Sequence, residues 1–141
     1  MPDGSDPQIA GCTSDKIVLA RSPIKLTAAA TVHSRVLPAG TTVGTVSLAY
    51  SAHCAGAWAR FDPTPGLNPD PTDNLVGALT VSADRPADRA ETLWRMGHID
   101  NAYTGLLLSG LGCVVASARV DMAGQDAFAV GRTTCLPQLT S

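Results

Sequence analysis

Apolar positions along this chain come in short runs, separated by glycine, proline, asparagine and aspartate, which is the pattern of many short strands. The runs predict strands over 16–20, 24–32, 42–50, 75–82, 91–99, 112–120 and 126–134. Alternation is clearest in the third, where Val46, Leu48 and Tyr50 point one way and Thr45, Ser47 and Ala49 the other, as in a half-buried strand. One stretch carries helical features. In SADRPADRAETLW, Asp84 can cap and Pro86 can occupy a first turn, so a short helix near 84–94 is a second reading there. Residues 62–74, DPTPGLNPDPTDN, hold four prolines and a glycine and predict a surface loop. The expected fold is all-β, a small antiparallel β-sandwich or barrel, because stacking or closing sheets hides the edges of short strands. Residues 1–141 are expected to form a single domain.

Four cysteines, Cys12, Cys54, Cys113 and Cys135, lie far apart with no CxxC pair. An even, dispersed set reads as two disulfides in an oxidising compartment. The last hairpin suggests the pairing. If Gly124 is the middle of a three-residue loop between Met122 and Asp126, Cys113 falls opposite Cys135, within reach of a bridge. Cys12 is then left for Cys54, closing a loop that chain entropy values at roughly 4 kcal/mol. In this register Val114, Ala116, Ala118, Val120 and Met122 share a face with Phe128 and Val130. Zinc is the rival use of the cysteines, but structural zinc sites draw ligands in closely spaced pairs.

Composition narrows the function classes. Charged residues make up 16% of the chain and the net charge is -2, with Lys and Arg scattered, so no nucleic acid partner is expected. The longest apolar stretch, 105–118, is interrupted by Ser and Gly and falls short of the ~20 residues that cross a bilayer, so no membrane insertion is expected. The opening MPDGSDPQ lacks the basic start and apolar stretch of an export signal, so the expectation is a segment whose signal or anchor lies elsewhere.

Catalytic patterns are sparse. Ser22 and Lys25 spell SxxK, but the surrounding IKLTAAATV reads as a strand and no companion motif is present. His98 with Asp100, or Ser51 with His53, would serve a small secreted hydrolase, the alternative reading. His33 has no companion. No cofactor is expected. Calcium at the 62–74 loop, through Asp62, Asn68, Asp70, Asp73 and Asn74, is a weaker reading because the regular DxDxDG spacing is missing. Aromatics are only 4% of the chain. Trp58 and Trp94 are both read as core residues before they are read as stacking platforms. A concave face carrying Tyr50, Trp58 and Arg60 would support a non-enzymatic binding or sensor module, its partner an envelope component, a small ligand or a protein. A secreted structural or antagonistic protein is a third reading.

Two front segments carry a resemblance. DGSDPQIAGCTSD followed by TVSLAYSAHCAGAWARF, with Gly4, Asp6, Pro7, Gly11, Cys12, Asp15, Leu48, Tyr50, Ser51, Cys54, Trp58, Ala59 and Arg60 as the matching letters, resembles the YjfA-like family of unknown function, common in actinobacteria. Ala49 departs from the family pattern, and further upstream cysteines of the family are lacking. AYT, CVVASA and RTTC look like its later segments. The resemblance implies a secreted protein or the exported C-terminal part of a membrane-anchored helix-turn-helix regulator, and it carries over no functional residue.

Overall fold

Strands form here both where the sequence alternates and where burial on two faces erases alternation. The computed structural model describes residues 2–32, 35–64, 76–97, 101–122 and 127–137. They form β1 (Ile17–Leu26), β2 (Ala30–Val32), β3 (Arg35–Leu37), β4 (Thr42–Ser51), β5 (Gly56–Pro63), β6 (Val76–Arg85), β7 (Ala90–Met96), β8 (Ala102–Tyr103), β9 (Leu107–Leu108), a 3-10 turn at Ser109–Leu111, β10 (Val115–Met122) and β11 (Phe128–Arg132). β2 and β3 make a separate hairpin. The other nine form one antiparallel sheet in the order β7, β6, β10, β11, β1, β4, β5, β8, with β9 also on β5. That sheet rolls until β6 comes back beside β5 with no ladder between them, giving a nearly closed barrel.

The barrel interior is filled by Val46 and Leu48 of β4, Ala57, Ala59 and Phe61 of β5, Leu79, Val81 and Ala83 of β6, and Ala116 and Val120 of β10, all fully buried. Each large apolar side chain among them contributes roughly 1.5–3 kcal/mol by leaving water. Many inward positions are alanines, which suits the narrow interior of a small barrel.

Several sequence expectations change. The strand predicted over 16–20 runs on through Leu26 as β1, with SxxK inside it, while the one predicted over 24–32 is divided between β1 and the separate β2 at Ala30–Val32. Pro23 is tolerated because β11 pairs only with Lys25 and Leu26, leaving β1 as an edge beside Pro23. β5 was not expected. Ala57, Trp58 and Ala59 are buried in succession, so the segment shows no alternation, and Pro63 of the predicted loop ends the strand opposite Gly44. The helix near 84–94 is absent. Residues 76–85 alternate inward as Leu79, Val81 and Ala83, and the chain turns through 86–89 into β7, with Arg85 opposite Ala90 and Arg89 at φ +60°.

The last hairpin is one residue out of the expected register. Asp121 pairs with Phe128 and Met122 N–H donates to Ala127 O, so the connection is four residues long. A one-residue slip turns a strand over. Ala129 therefore faces the core, while Phe128 lies outside, with the Arg119 guanidinium 4.2 Å from its ring centroid. Cys113 and Cys135 are bridged all the same, their Cα atoms 5.2 Å apart. Past the Ser117–Arg132 pair the ladder lapses, resuming at the isolated Val114–Leu136 bridge, and the cysteines meet in that irregular stretch.

Where the barrel fails to close, a buried arginine spans the gap. The inward series of β6 ends at Arg85, only 1% exposed. Its Nε donates to Asp88 Oδ1 at 2.8 Å, and Nη2 donates to Asp88 Oδ2 at 2.7 Å and Asp3 Oδ2 at 2.8 Å. Nη1 donates to Asp3 Oδ1 at 3.0 Å and to the Leu108 carbonyl of β9 at 2.7 Å. All five guanidinium N–H groups are thus matched, as burial of this group demands. Gly112 passes directly over the arginine stem: at its φ of +152° a Cβ would stand 2.9 Å from the Ala87 methyl and 3.4 Å from Arg85 Cγ. Thr92 Oγ1 adds a second link across the gap, donating to Gly105 O at 2.7 Å. Arg85→Met should cost about 2–4 kcal/mol in urea unfolding, since two carboxylates and a carbonyl lose their shared donor. Asp3→Asn should cost clearly less, because Asp88 still holds the guanidinium. A change under about 0.5 kcal/mol for Arg85→Met would contradict this role for the arginine.

Candidate functional site

Residues 2–16 form an N-terminal strap laid over the outer face of β4 and β5. It begins as a short extended pairing, with Gly4 N–H donating to Leu106 O at 2.7 Å and Leu106 N–H to Ser5 O at 2.9 Å. Gly105 makes that approach feasible, for a Cβ there would stand 2.6 Å from Gly4 O. Asp3 accepts Leu108 N–H at 2.8 Å besides holding Arg85. Asp6 then caps a turn, its Oδ1 accepting Gln8 N–H at 2.9 Å and Ile9 N–H at 3.3 Å. The coil that follows delivers Cys12 to Cys54, with Cα atoms 5.7 Å apart. Its exit is fixed by Asp15, which accepts the Ser51 hydroxyl at 2.6 Å and His53 N–H at 2.9 Å. Beneath the strap, Cys12, Cys54, Ala49, Trp58 and Leu106 make a second apolar core.

Two adjoining hollows flank Tyr103 of β8. One, of about 300 Å³, lies between the strap and the outer sheet face, lined by Gln8, Thr13, Lys16, Trp58, Arg60 and Tyr103 among others. The other, of about 330 Å³, occupies the barrel seam, lined by Gly4, Asp6, Trp94, Met96, Tyr103 and Gly105 among others. The Tyr103 hydroxyl stands on the ridge between them, within 3.2 Å of Asp6 Oδ1 and 3.1 Å of Gln8 Oε1. Partial withdrawal from water, with the Asp6 charge beside it, pushes the Tyr103 phenol above its ordinary range.

The structure brings two of the three expected binding residues together. Trp58 and Arg60 project to the outer face of β5 and both line the first hollow, Trp58 by an edge of a side chain otherwise buried. Arg60 Nε is 3.2 Å from Asp62 Oδ1, which also accepts the Asn101 amide at 2.7 Å. Tyr50 pairs with Ala57 and faces the barrel interior, on the opposite side of the sheet. Trp94 departs from its expected place in the core. It shares the inward face with Val81 yet is 49% exposed, because β7 ends the sheet and no further strand pairs beyond it among the described residues. Trp94 and Tyr103 therefore join Trp58 and Arg60 as candidate-site residues, Trp94 from a position that the sequence reads first as core. Of the hydrolase pairs, the Ser51 hydroxyl donates to Asp15 and accepts Cys54 N–H at 3.1 Å. His98 and Asp100 lie outside the described residues, as do His33 and positions 65–74 of the calcium reading. Among the described residues no group of three metal-ligating side chains occurs, and all four cysteines are in disulfides.

The profile of a family described as "Protein of unknown function (DUF2690)" matches residues 2–117, from the strap through the start of β10. The chain belongs to the DUF2690 family. The family carries no activity or ligand with it. Neither the curated proteins nor the solved structures gave a match. Within this DUF2690 chain the matched span holds the whole strap, its dock on β4 and β5, Arg85 and both hollows; β11 and Cys135 lie beyond it.

Strap and seam depend on ionised carboxylates. The hydrogen bonds from Arg85 hold Asp3 and Asp88 below the usual carboxylate range, and those from Ser51 and His53 N–H do the same for Asp15. A carboxylate whose pKa is depressed by folding adds stability that is complete above the unfolded value near 4 and is lost as pH falls through the folded one. Glu91 has the opposite sign: its direct neighbour Asp84 raises it, so its ionisation opposes folding as pH climbs. The depressed groups are the ones that tie the strap and the seam, whereas Glu91 stands on the edge strand β7 beside Asp84. Melting temperature should stay nearly level from pH 7 to 5 and fall steeply below about pH 4, and Asp15→Asn should soften the fall. A melting temperature that rises on acidification to pH 3 would contradict the assignment.

Proposed function

We propose that this chain is an exported, non-enzymatic binding module whose ligand sits in the two hollows beside Tyr103. The observation carrying this reading is Trp94: a large aromatic on the inward face of a strand, left half open at the mouth of a seam groove. Water-exposed Trp and Tyr at a concavity are the side chains that anchor ligands, having large contact area and few torsions to freeze. Rigid support underlies them, since strap, disulfide and Arg85 cluster fix the walls. Two disulfides favour an oxidising compartment, and hence an envelope component or a small extracellular ligand as the partner. Trp58 and Arg60 extend the surface into the neighbouring hollow.

Co-sedimentation of the chain with bacterial cell-wall and membrane fractions tests the reading. Retention should saturate, and Trp94→Ala should weaken it about tenfold, as truncation of an aromatic anchor does, with the melting temperature unchanged. Absence of retention by any fraction, or retention indifferent to Trp94, would count against it.

A further inference from the structure

We infer that the seam groove takes a substituted ammonium group, an alkylated amine or quaternary nitrogen carried on a small ligand; this rests on the binding reading above and names its chemistry. Three properties of the groove converge on that class. Its two aromatic side chains come from opposite walls, Trp94 from β7 at 49% exposure and Tyr103 from β8 at 38%. Aromatic faces carry negative potential and attract organic cations. The only charged side chain among its described lining residues is Asp6, an acid; no Lys or Arg lines it. The Met96 thioether adds a polarisable apolar surface suited to alkyl groups.

Asp6 keeps its charge available. It accepts two backbone N–H groups at the strap turn and faces the Tyr103 hydroxyl, and none of these contacts is with a cation. A bare divalent ion is poorly served here, because it needs several hard oxygen ligands. An anion would meet Asp6 without a counter-charge. Charge also fixes which hollow the cation enters: across the Tyr103 ridge the lining carries Lys16 and Arg60 instead of an acid, so the ammonium is directed to the Trp94 side. A volume of about 330 Å³ leaves room for a trimethylammonium head with its alkyl arm.

The test is an NMR titration following the Trp94 indole N–H, assigned by its loss in Trp94→Ala. Tetramethylammonium and choline should give saturable shifts, and 3,3-dimethylbutan-1-ol, the uncharged isostere of choline, should bind about tenfold more weakly. Asp6→Asn should weaken ammonium binding several-fold and leave the isostere unaffected. Asparagine caps as well as aspartate, so the strap turn survives this change, and melting temperature verifies it. The inference is overturned by a lack of saturable response to both ammonium probes, by equal binding of the isostere, or by indifference to Asp6→Asn. The envelope sedimentation assay separates the two failures. Retention that depends on Trp94 without an ammonium response removes the ammonium inference alone. Loss of both removes the binding reading as well.

Discussion

A guanidinium taken out of water must have every N–H matched, and in this protein the five partners of Arg85 come from three separate parts of the chain. Asp88 belongs to the turn between β6 and β7, the Leu108 carbonyl to β9 and Asp3 to the strap. Satisfying one side chain therefore draws both edges of the open sheet and the N-terminus to one point. The Asp88 bonds foremost, then those of Asp3, raise the affinity of Arg85 for its proton further above an already high value, so the cluster stays charged at any ordinary pH. A barrel that does not complete its hydrogen-bond ladder can close with a charged knot instead. Removing the arginine leaves two acids side by side, which explains why a partner loss matters more than the modest net value of such clusters suggests.

The strap has a double consequence. It seals the outer face of β4 and β5, where Trp58 and the Cys12–Cys54 bridge form a second apolar core, and its polar residues become walls of both hollows. Asp6 illustrates the economy of the arrangement. The same carboxylate caps the turn, orients Tyr103 and faces the seam groove. Fold and candidate site are consequently one construction: a change that loosens the strap dismantles the concavity, whereas Trp94 stands on β7 and can be altered without disturbing the frame.

Much of the scaffold was legible in the sequence. Dispersed cysteines indicated two disulfides, the hairpin argument reached the observed pairs through a register one residue out, and short apolar runs found β4, β6 and β10 because each presents one continuous apolar face. β5 escaped for the converse reason, its residues being buried on both faces by barrel and strap together. The last hairpin failed by one residue, since turn length is set by loop conformation and apolar letters on both faces of β11 do not discriminate. Arg85 was unreadable: within SADRPADRAE it looks like any solvated charge, and its burial becomes tolerable only once the fold brings the distant Asp3 and the Leu108 carbonyl to it beside Asp88. Trp94 misled because packing in the core is the commoner use of a tryptophan, and the letters around it could not reveal that β7 ends the sheet. The matching letters of the resemblance, from Gly4 through Asp15 to Trp58, turn out to describe the strap and its dock.

Native-state hydrogen exchange tests most directly whether the strap is part of the closed barrel. The amides of Gly4, Leu106 and Leu108, which bond between the strap and the 106–108 segment, should exchange with the same free energy of opening as core amides of β4, and Arg85→Met should lower all of them together. Exchange of those three amides by an independent, low-energy opening, while β4 stays fully protected, would show that the strap is an appendage and that the arginine knot does not hold the barrel shut.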